Sequence, residues 1–208
     1  MKKNKSLKIG ILAKHVNKHA NYGMDMRVGW LIQGLIERGH KVKLYAYNHS
    51  QPKNILVKAY NKILPEKFID LILTKKIIDN QHKFDLIFTQ NNTILPFIDK
   101  IKIPVFHTVS FTDLSTKRIN LYKTFSDVKY IAQSNFLKNR FNFNWVGVIH
   151  NGISTQDFVL PKKNNRQYFL TLNRIHPDKG THLAADYCFK NDLNLIIAGM
   201  IQNQEYFD

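Results

Sequence analysis

The sequence predicts an α/β protein built on parallel sheets, in two parts of unequal size. Three observations predict it. Short apolar runs alternate with helical stretches along the first 150 residues, the pattern of a parallel sheet with crossover helices. A polar, turn-rich segment, "HNGISTQDFVLPKKNNRQ" (150–167), then interrupts that rhythm. Beyond it a fresh strand–helix–strand unit begins, "YFLTLN" to "LNLIIAG".

Taken in order, "LKIGILA" (7–13) reads as the first strand. A helix follows from about Met24, with Met24, Val28, Leu31, Ile32, Leu35 and Ile36 at helical spacing on one face. Gly39 is placed to end it, and "KVKLYAY" (41–47) alternates as the second strand. Residues 54–80 read as one or two helices, with Pro65 suited to a first turn. Four further strands follow in "FDLIFTQ" (84–90), "PVFHTVS" (104–110), "KYIAQS" (129–134) and "WVGVIHNG" (145–152). Ser134 is positioned as the N-cap of a short helix, "NFLKNRF". In the second part a helix spans roughly 179–190, and the tail "MIQNQEYFD" closes no element. A two-stranded parallel sheet buries too little to stabilise itself. The second part therefore reads as a domain begun and not finished.

Composition narrows the function classes. The 208 residues suffice for one large domain, or for one domain and part of another. No apolar run reaches the roughly 18 residues of a membrane span, and "LKIGILAKH" is too short and too soon charged for a signal peptide. The single cysteine, Cys188, excludes an intrachain disulfide framework and fits a reducing cytosol, as a small core residue in "AADYCFK". The net charge of +16 is uneven: 18 Lys/Arg against 7 Asp/Glu in residues 1–100, and 13 against 8 in 101–208. Such an excess favours anionic partners, namely phosphorylated ligands, anionic lipid or nucleic acid. The alternative is a solvated, lysine-rich surface.

The stretch "LNRIHPDKG" (172–180) carries the most chemistry. Arg174 falls at the carboxyl end of a strand, where open α/β sheets bind ligands. Lys179 and Gly180 open the next helix, whose N-terminus offers unpaired N–H groups and a partial positive charge. A guanidinium fork and a compact ammonium together suit a diphosphate, and the glycine admits close approach of the backbone. Solvated basic residues at a strand–helix turn are the plainer reading of the same pattern.

Residues 168–207, "YFLTLNRIHPDKGTHLAADYCFKNDLNLIIAGMIQNQEYF", resemble the start of the C-terminal domain of glycosyltransferase family 4, the retaining GT-B enzymes. That family shows a strand, a G-R-x-x-x-x-K-G turn, a helix and a strand ending in Ala-Gly. "VIHNGISTQDF" is similar to its V-x-N-G crossing between domains, and "VGWLIQGLIERGHKVKLYA" to its first helix and second strand. "FDLIFTQ", "PVFHTVSF" and "YIAQSNFLKNRF" also follow the family's order, although the strong motifs lie within 147–199. The resemblance implies a Rossmann-like N-terminal, acceptor-side domain over 1–150. Residues 151–208 would be the linker and the incomplete start of a nucleotide-sugar domain. It gives Arg174, Lys179 and Gly180 the donor diphosphate, and sets Gly23 in the loop lining the cleft. Asn151 and Gly152 shape the hinge, and Gly199 borders the nucleotide base.

The departures are informative. The glycine pair expected near the first helix is Gly23 alone, and the first glycine of the G-R turn is Asn173. Where many relatives read T-x-H-G, this chain reads Thr108, Val109, Ser110 and Phe111, which leaves Ser110 as the candidate at the catalytic position. His107 alternates away from that face and reads as a core or surface histidine, and His176 as a turn residue. The family's paired glutamates, eight positions apart, have no counterpart beyond Lys179, where Glu205 stands alone. The resemblance thus implies a glycosyltransferase using a nucleotide-sugar as substrate, with no metal or other cofactor. It implies an unknown sugar, lipid or other acceptor and a cytoplasmic location with peripheral contact at anionic membrane. Nucleic acid is not an expected partner. The competing expectation is a non-catalytic basic module that binds anionic membrane or nucleic acid.

Overall fold

The computed structural model of the chain describes residues 5–14, 16–17, 23–46, 49–50, 65–110, 115–155 and 167–208. They fall into two compact units, Met1–Thr155 and Gln156–Asp208. Tyr47, residues 54–64 of the helical stretch expected over 54–80, Phe111 and linker residues 156–166 lie outside the described residues.

The first unit opens with strand β1 (Lys8–Leu12) and a two-residue strand, β2 (Val16–Asn17). Helix α1 (Gly23–Glu37) follows and buries Val28 and Ile32, which its i, i+4 spacing places on one face. Its end is a Schellman turn: the Gly39 N–H donates to Ile36 O at 2.8 Å and the His40 N–H to Leu35 O at 3.0 Å. Strand β3 (Lys41–Tyr45) comes next, then β4 (His49–Ser50), which pairs with β2. Helix α2 (Glu66–Asp79) starts directly after Pro65, and strand β5 (Leu86–Thr89) follows it.

Two elements here were not anticipated. Asn92–Lys100 is a 3-10 run containing Pro96, and its cap is the Asn91 side chain, which accepts from the Thr93 N–H at 3.1 Å. After β6 (Val105–Val109), helix α3 (Thr116–Thr124) is capped by Ser115 and buries Tyr122 alone. One buried residue gives no periodic stripe, so its pattern carried no helix signal. Strand β7 (Lys129–Ala132), helix α4 (Asn135–Arg140) and strand β8 (Trp145–Val148) complete the unit. Ser134 caps α4 as expected, its hydroxyl accepting from the Leu137 N–H at 3.2 Å.

The six longer strands form one parallel sheet in the order β3-β1-β5-β6-β7-β8. The chain reverses its direction of travel between β1 and β5, which makes their carboxyl ends the topological switch point. Both faces are covered. Ile9, Ile11 and Ala13 pack with Val28 and Ile32, whereas Leu12 packs with Ile69, Leu73, Ile77 and Ile87. This is the period-two alternation of a strand buried on both sides. Each such fully buried aliphatic side chain contributes roughly 1.5–3 kcal/mol.

Toward β8 the core is aromatic. Tyr122 and Tyr130 meet edge to face at 5.4 Å between centroids, and Phe143 lies 5.6 Å from Tyr122 and 5.2 Å from Trp145. The Tyr130 hydroxyl donates to Phe125 O at 3.0 Å and is also 3.3 Å from Tyr122 O, so its polar end is satisfied inside the core.

The second unit contains β9 (Phe169–Leu172), a 3-10 turn (Pro177–Lys179), α5 (Thr181–Lys190) and β10 (Leu195–Ala198). β9 and β10 pair in parallel, and a bridge between Ile175 and Ile201 extends them. The tail is more ordered than expected. Asn203 caps a short final helix, α6 (Gln204–Phe207), by accepting from the Tyr206 N–H at 2.9 Å. This unit's sheet stays open: Leu170, Leu172, Ile196 and Ile197 are all exposed. Its described buried side chains are Ile175, Thr181 and Cys188, the last being the small core residue the sequence suggested.

Candidate functional site

Arg174 lies two residues beyond β9, and Ile175, buried and bridged to Ile201, anchors the turn that carries it. The chain then makes one 3-10 turn through Lys179 and reverses at Gly180, φ 65°, into α5. This left-handed conformation is the reason for glycine here. Within the chain, a Cβ at Gly180 would meet only ordinary contacts with Leu183.

The two predicted cations converge on one carboxylate. Arg174 Nη2 and Lys179 Nζ lie 3.2 and 3.3 Å from Asp178 Oδ2, and His176 Nδ1 lies 2.7 Å from Oδ1. Arg174 also donates to the Gln202 side chain. Local desolvation pushes the Asp178 carboxyl up. The hydrogen bonds from His176 and Lys179, with the charges of Lys179 and Arg174, outweigh it and hold the pKa below the usual carboxylate value. The turn therefore gathers cationic and hydrogen-bonding groups around a single anionic oxygen pair.

The surroundings hold this turn in shape. Asn173, standing at the first position of the G-R turn, accepts from the Thr181 hydroxyl at 3.2 Å and so ties β9's exit to the start of α5. Gly199 packs against the same turn: a Cβ there would fall inside the Asn173 carbonyl. The first turn of α5 is not wholly open, because the His182 N–H donates to the Tyr206 hydroxyl at 2.9 Å. The sequence reading of unpaired N–H groups at this helix start is corrected to that extent.

In the first unit, Gly23 is the first residue of α1. Ser110 directly follows β6 and is buried, as is Thr108, whose hydroxyl donates to Thr89 O at 3.3 Å. His107 resolves as a core histidine. It is fully enclosed, with ring centroids 5.7 Å from both Tyr122 and Tyr130, and neither ring nitrogen has a hydrogen-bond partner. Burial pushes its pKa down to about 4; only a backbone approach from Thr108, outside hydrogen-bond geometry, opposes the shift. At the switch point the Thr89 hydroxyl donates to Leu12 O at 2.9 Å, and Asn91 Nδ2 donates to Asp70 Oδ1 at 3.0 Å, fixing the loop after β5.

Asn151 and Gly152 lie beyond β8, both exposed, with open space around Gly152. Asn151 is not idle. Its Oδ1 accepts from Arg27 Nη1 at 2.5 Å, and the same nitrogen donates to Gln133 Oε1 at 2.8 Å. Arg27 comes from the second turn of α1 and Gln133 directly follows β7. Burial lowers the Arg27 pKa from its ordinary value. Sequence reasoning missed Arg27 and Gln133, since attention to α1 fell on its apolar stripe. It also passed over Asp178, although that residue stands between the two cations it singled out. Among the described residues, no three His, Cys, Asp or Glu side chains cluster as a metal site, and no helix is long and apolar enough to cross a membrane.

Comparison with solved structures places this geometry in a known fold. HepE from Anabaena, in complex with UDP and glucose, superposes with a TM-score of 0.62 at 16% identity, over 97% of this chain and 64% of that one. HepE with UDP-glucose gives 0.63 at 15% identity, over 97% and 63%. An alpha-glucosyltransferase in complex with UDP and a 13-mer DNA gives 0.63 at 15%, over 97% and 58%. The fold is GT-B. This chain spans less than two thirds of the length of each of these structures. Neither a family model nor a curated protein matches the sequence. Within the GT-B fold, the Arg174 and Arg27 clusters both lie beyond the carboxyl ends of parallel strands, where α/β sheets present their ligands.

Proposed function

We propose that the chain binds a nucleotide-diphosphate sugar at the turn after β9 and acts in its transfer to an acceptor, as a retaining glycosyltransferase of the family 4 type. The observation that carries this reading is the convergence of Arg174 and Lys179 on the Asp178 carboxylate. That carboxylate stands in for the oxyanions of a diphosphate, which offer the same acceptor chemistry with more charge.

The chemistry follows from where charge builds. As the bond between the sugar's anomeric carbon and the diphosphate oxygen breaks, negative charge collects on the leaving diphosphate. Fixed cations stabilise that charge more than they stabilise the ground state. Arg174 supplies a planar, bidentate fork and Lys179 a point charge, while Gly180 sets the turn that brings them together. In this reading the residues after 150 hold the donor and the first 150 hold the acceptor, with Gly23 lining a cleft, Ser110 the candidate at the catalytic position, and Asn151 and Gly152 shaping the hinge. Gly199 keeps the β10 exit close against the donor turn. No metal is needed, since side-chain cations meet the diphosphate directly.

Calorimetric titration of the full chain with UDP and GDP tests this, with Arg174→Ala beside it. Binding that weakens at least tenfold in Arg174→Ala is expected. Affinity indifferent to that substitution, or no binding of either nucleotide, overturns the assignment.

A further inference from the structure

The structure points to a second oxyanion site, on the six-stranded unit: we propose that Arg27, Gln133 and Asn151 together bind a phosphate or carboxylate group of a small substrate. The site stands on its own geometry; where the donor reading above holds, the oxyanion belongs to the acceptor.

Arg27 Nη1 spends its hydrogens on two neutral amide oxygens, Gln133 Oε1 at 2.8 Å and Asn151 Oδ1 at 2.5 Å. Neutral acceptors orient a guanidinium without cancelling its charge, in contrast to Arg174, which faces Asp178 at 3.2 Å. Five N–H groups decorate a guanidinium, and two come from Nη1; among the described residues Nη2 and Nε have no partner and remain for a ligand. The pinning also acts on the amides. With their oxygens turned to Arg27, Gln133 and Asn151 present their NH₂ groups to the other side, and no described residue accepts from them. Among the described residues no carboxylate pairs with Arg27, so the cluster is a set of donors with one positive charge, half removed from water, where a desolvated ion is strengthened by a counter-charge. Gln133 directly follows β7, Asn151 lies just past β8, and Asn151 is exposed, so a ligand can reach the cluster from solvent. These are again the carboxyl ends of parallel strands.

A purely structural role, tying the segment after β8 to α1, is the competing account, and Asn151→Asp separates the two. The substituted carboxylate keeps the hydrogen bond to Arg27 and supplies an internal counter-ion that a ligand must displace. The experiment titrates the ¹⁵N-labelled full chain with inorganic phosphate and, separately, acetate, following the Arg27 side-chain Nε–H and the amides of Gln133 and Asn151. Saturable shifts are expected in the wild type and in Arg174→Ala, which removes the other cationic site. Binding should weaken at least tenfold in Arg27→Gln and in Asn151→Asp, while the thermal midpoint of Asn151→Asp is no lower than that of the wild type. A response to phosphate alone identifies a phosphorylated ligand, and one to acetate alone a carboxylate. No shift with either anion overturns the proposal. So does wild-type affinity in Asn151→Asp, or binding that is lost only in Arg174→Ala.

Discussion

Replacing His107 with phenylalanine should remove much of this protein's sensitivity to mild acid. The imidazole is sealed among Tyr122 and Tyr130 without a hydrogen-bond partner, and burial holds its pKa at about 4. In the unfolded chain the same group titrates near 6.5. Between those values the unfolded state binds a proton that the folded state refuses, so stability rises with pH across the window. It is complete above about pH 6.5 and is lost as pH falls toward 4. At about 1.4 kcal/mol per pH unit, the full effect is roughly 3 kcal/mol, of which about 2 kcal/mol is lost between pH 7.5 and pH 5. Urea unfolding followed by far-UV circular dichroism at those two pH values reads this directly. With an m-value of about 2 kcal/mol/M, the wild-type midpoint should fall by about 1 M more than that of His107→Phe. Asp178, held below the usual carboxylate value, contributes only at lower pH. Equal pH dependence in the two proteins would refute the argument, because it would mean that His107 can be protonated without unfolding.

Asp178→Asn removes the resident anion from between Arg174 and Lys179, so UDP affinity measured by calorimetry should rise about two- to fivefold, the scale of an exposed ion pair; weaker binding would show that Asp178 positions the cations instead of competing for them. Gly199→Ala forces a Cβ into the Asn173 carbonyl, and since backbone cannot yield as a flexible side chain does, it should destabilise the second unit by about 1–3 kcal/mol or more, seen as faster limited proteolysis within residues 167–208. Ser134→Ala deletes the cap of α4 and should cost about 1 kcal/mol in thermal or urea unfolding, with no effect on nucleotide binding.

The parts of this fold that were legible in the sequence are those where burial writes a period. Strands β1, β5 and β6 announce themselves as short apolar runs between turn residues, and α1 through Val28 and Ile32 one turn apart. Helix α3 left no such trace, because it buries Tyr122 and little else. The 3-10 run after β5 is built on an Asn91 cap and contains Pro96, which argues against any helix when read alone. The site divides in the same way. Arg174 and Lys179 stand in a recognisable turn, whereas Arg27 is more than a hundred positions from Gln133 and Asn151 and meets them only because the start of α1 lies beside the ends of β7 and β8. Gly180 shows that the right residue can be chosen for an incomplete reason: its positive φ requires glycine, whatever approaches its backbone.

The contact between Gly199 and Asn173 bears on how substitution data for this protein should be interpreted. A saturation scan of position 199 will reject nearly every side chain, and the rejection will be total before any nucleotide is added. Intolerance there is a property of two strand exits lying too close for a methyl group, so it says nothing about whether a base sits nearby. Position 173 shares the constraint from the other side, and partial tolerance at 199 should emerge first in variants whose 173–174 backbone has shifted. Functional inference for this turn is therefore best drawn from side chains that reach outward, Arg174 and Lys179, and not from the glycine that a motif search would rank beside them.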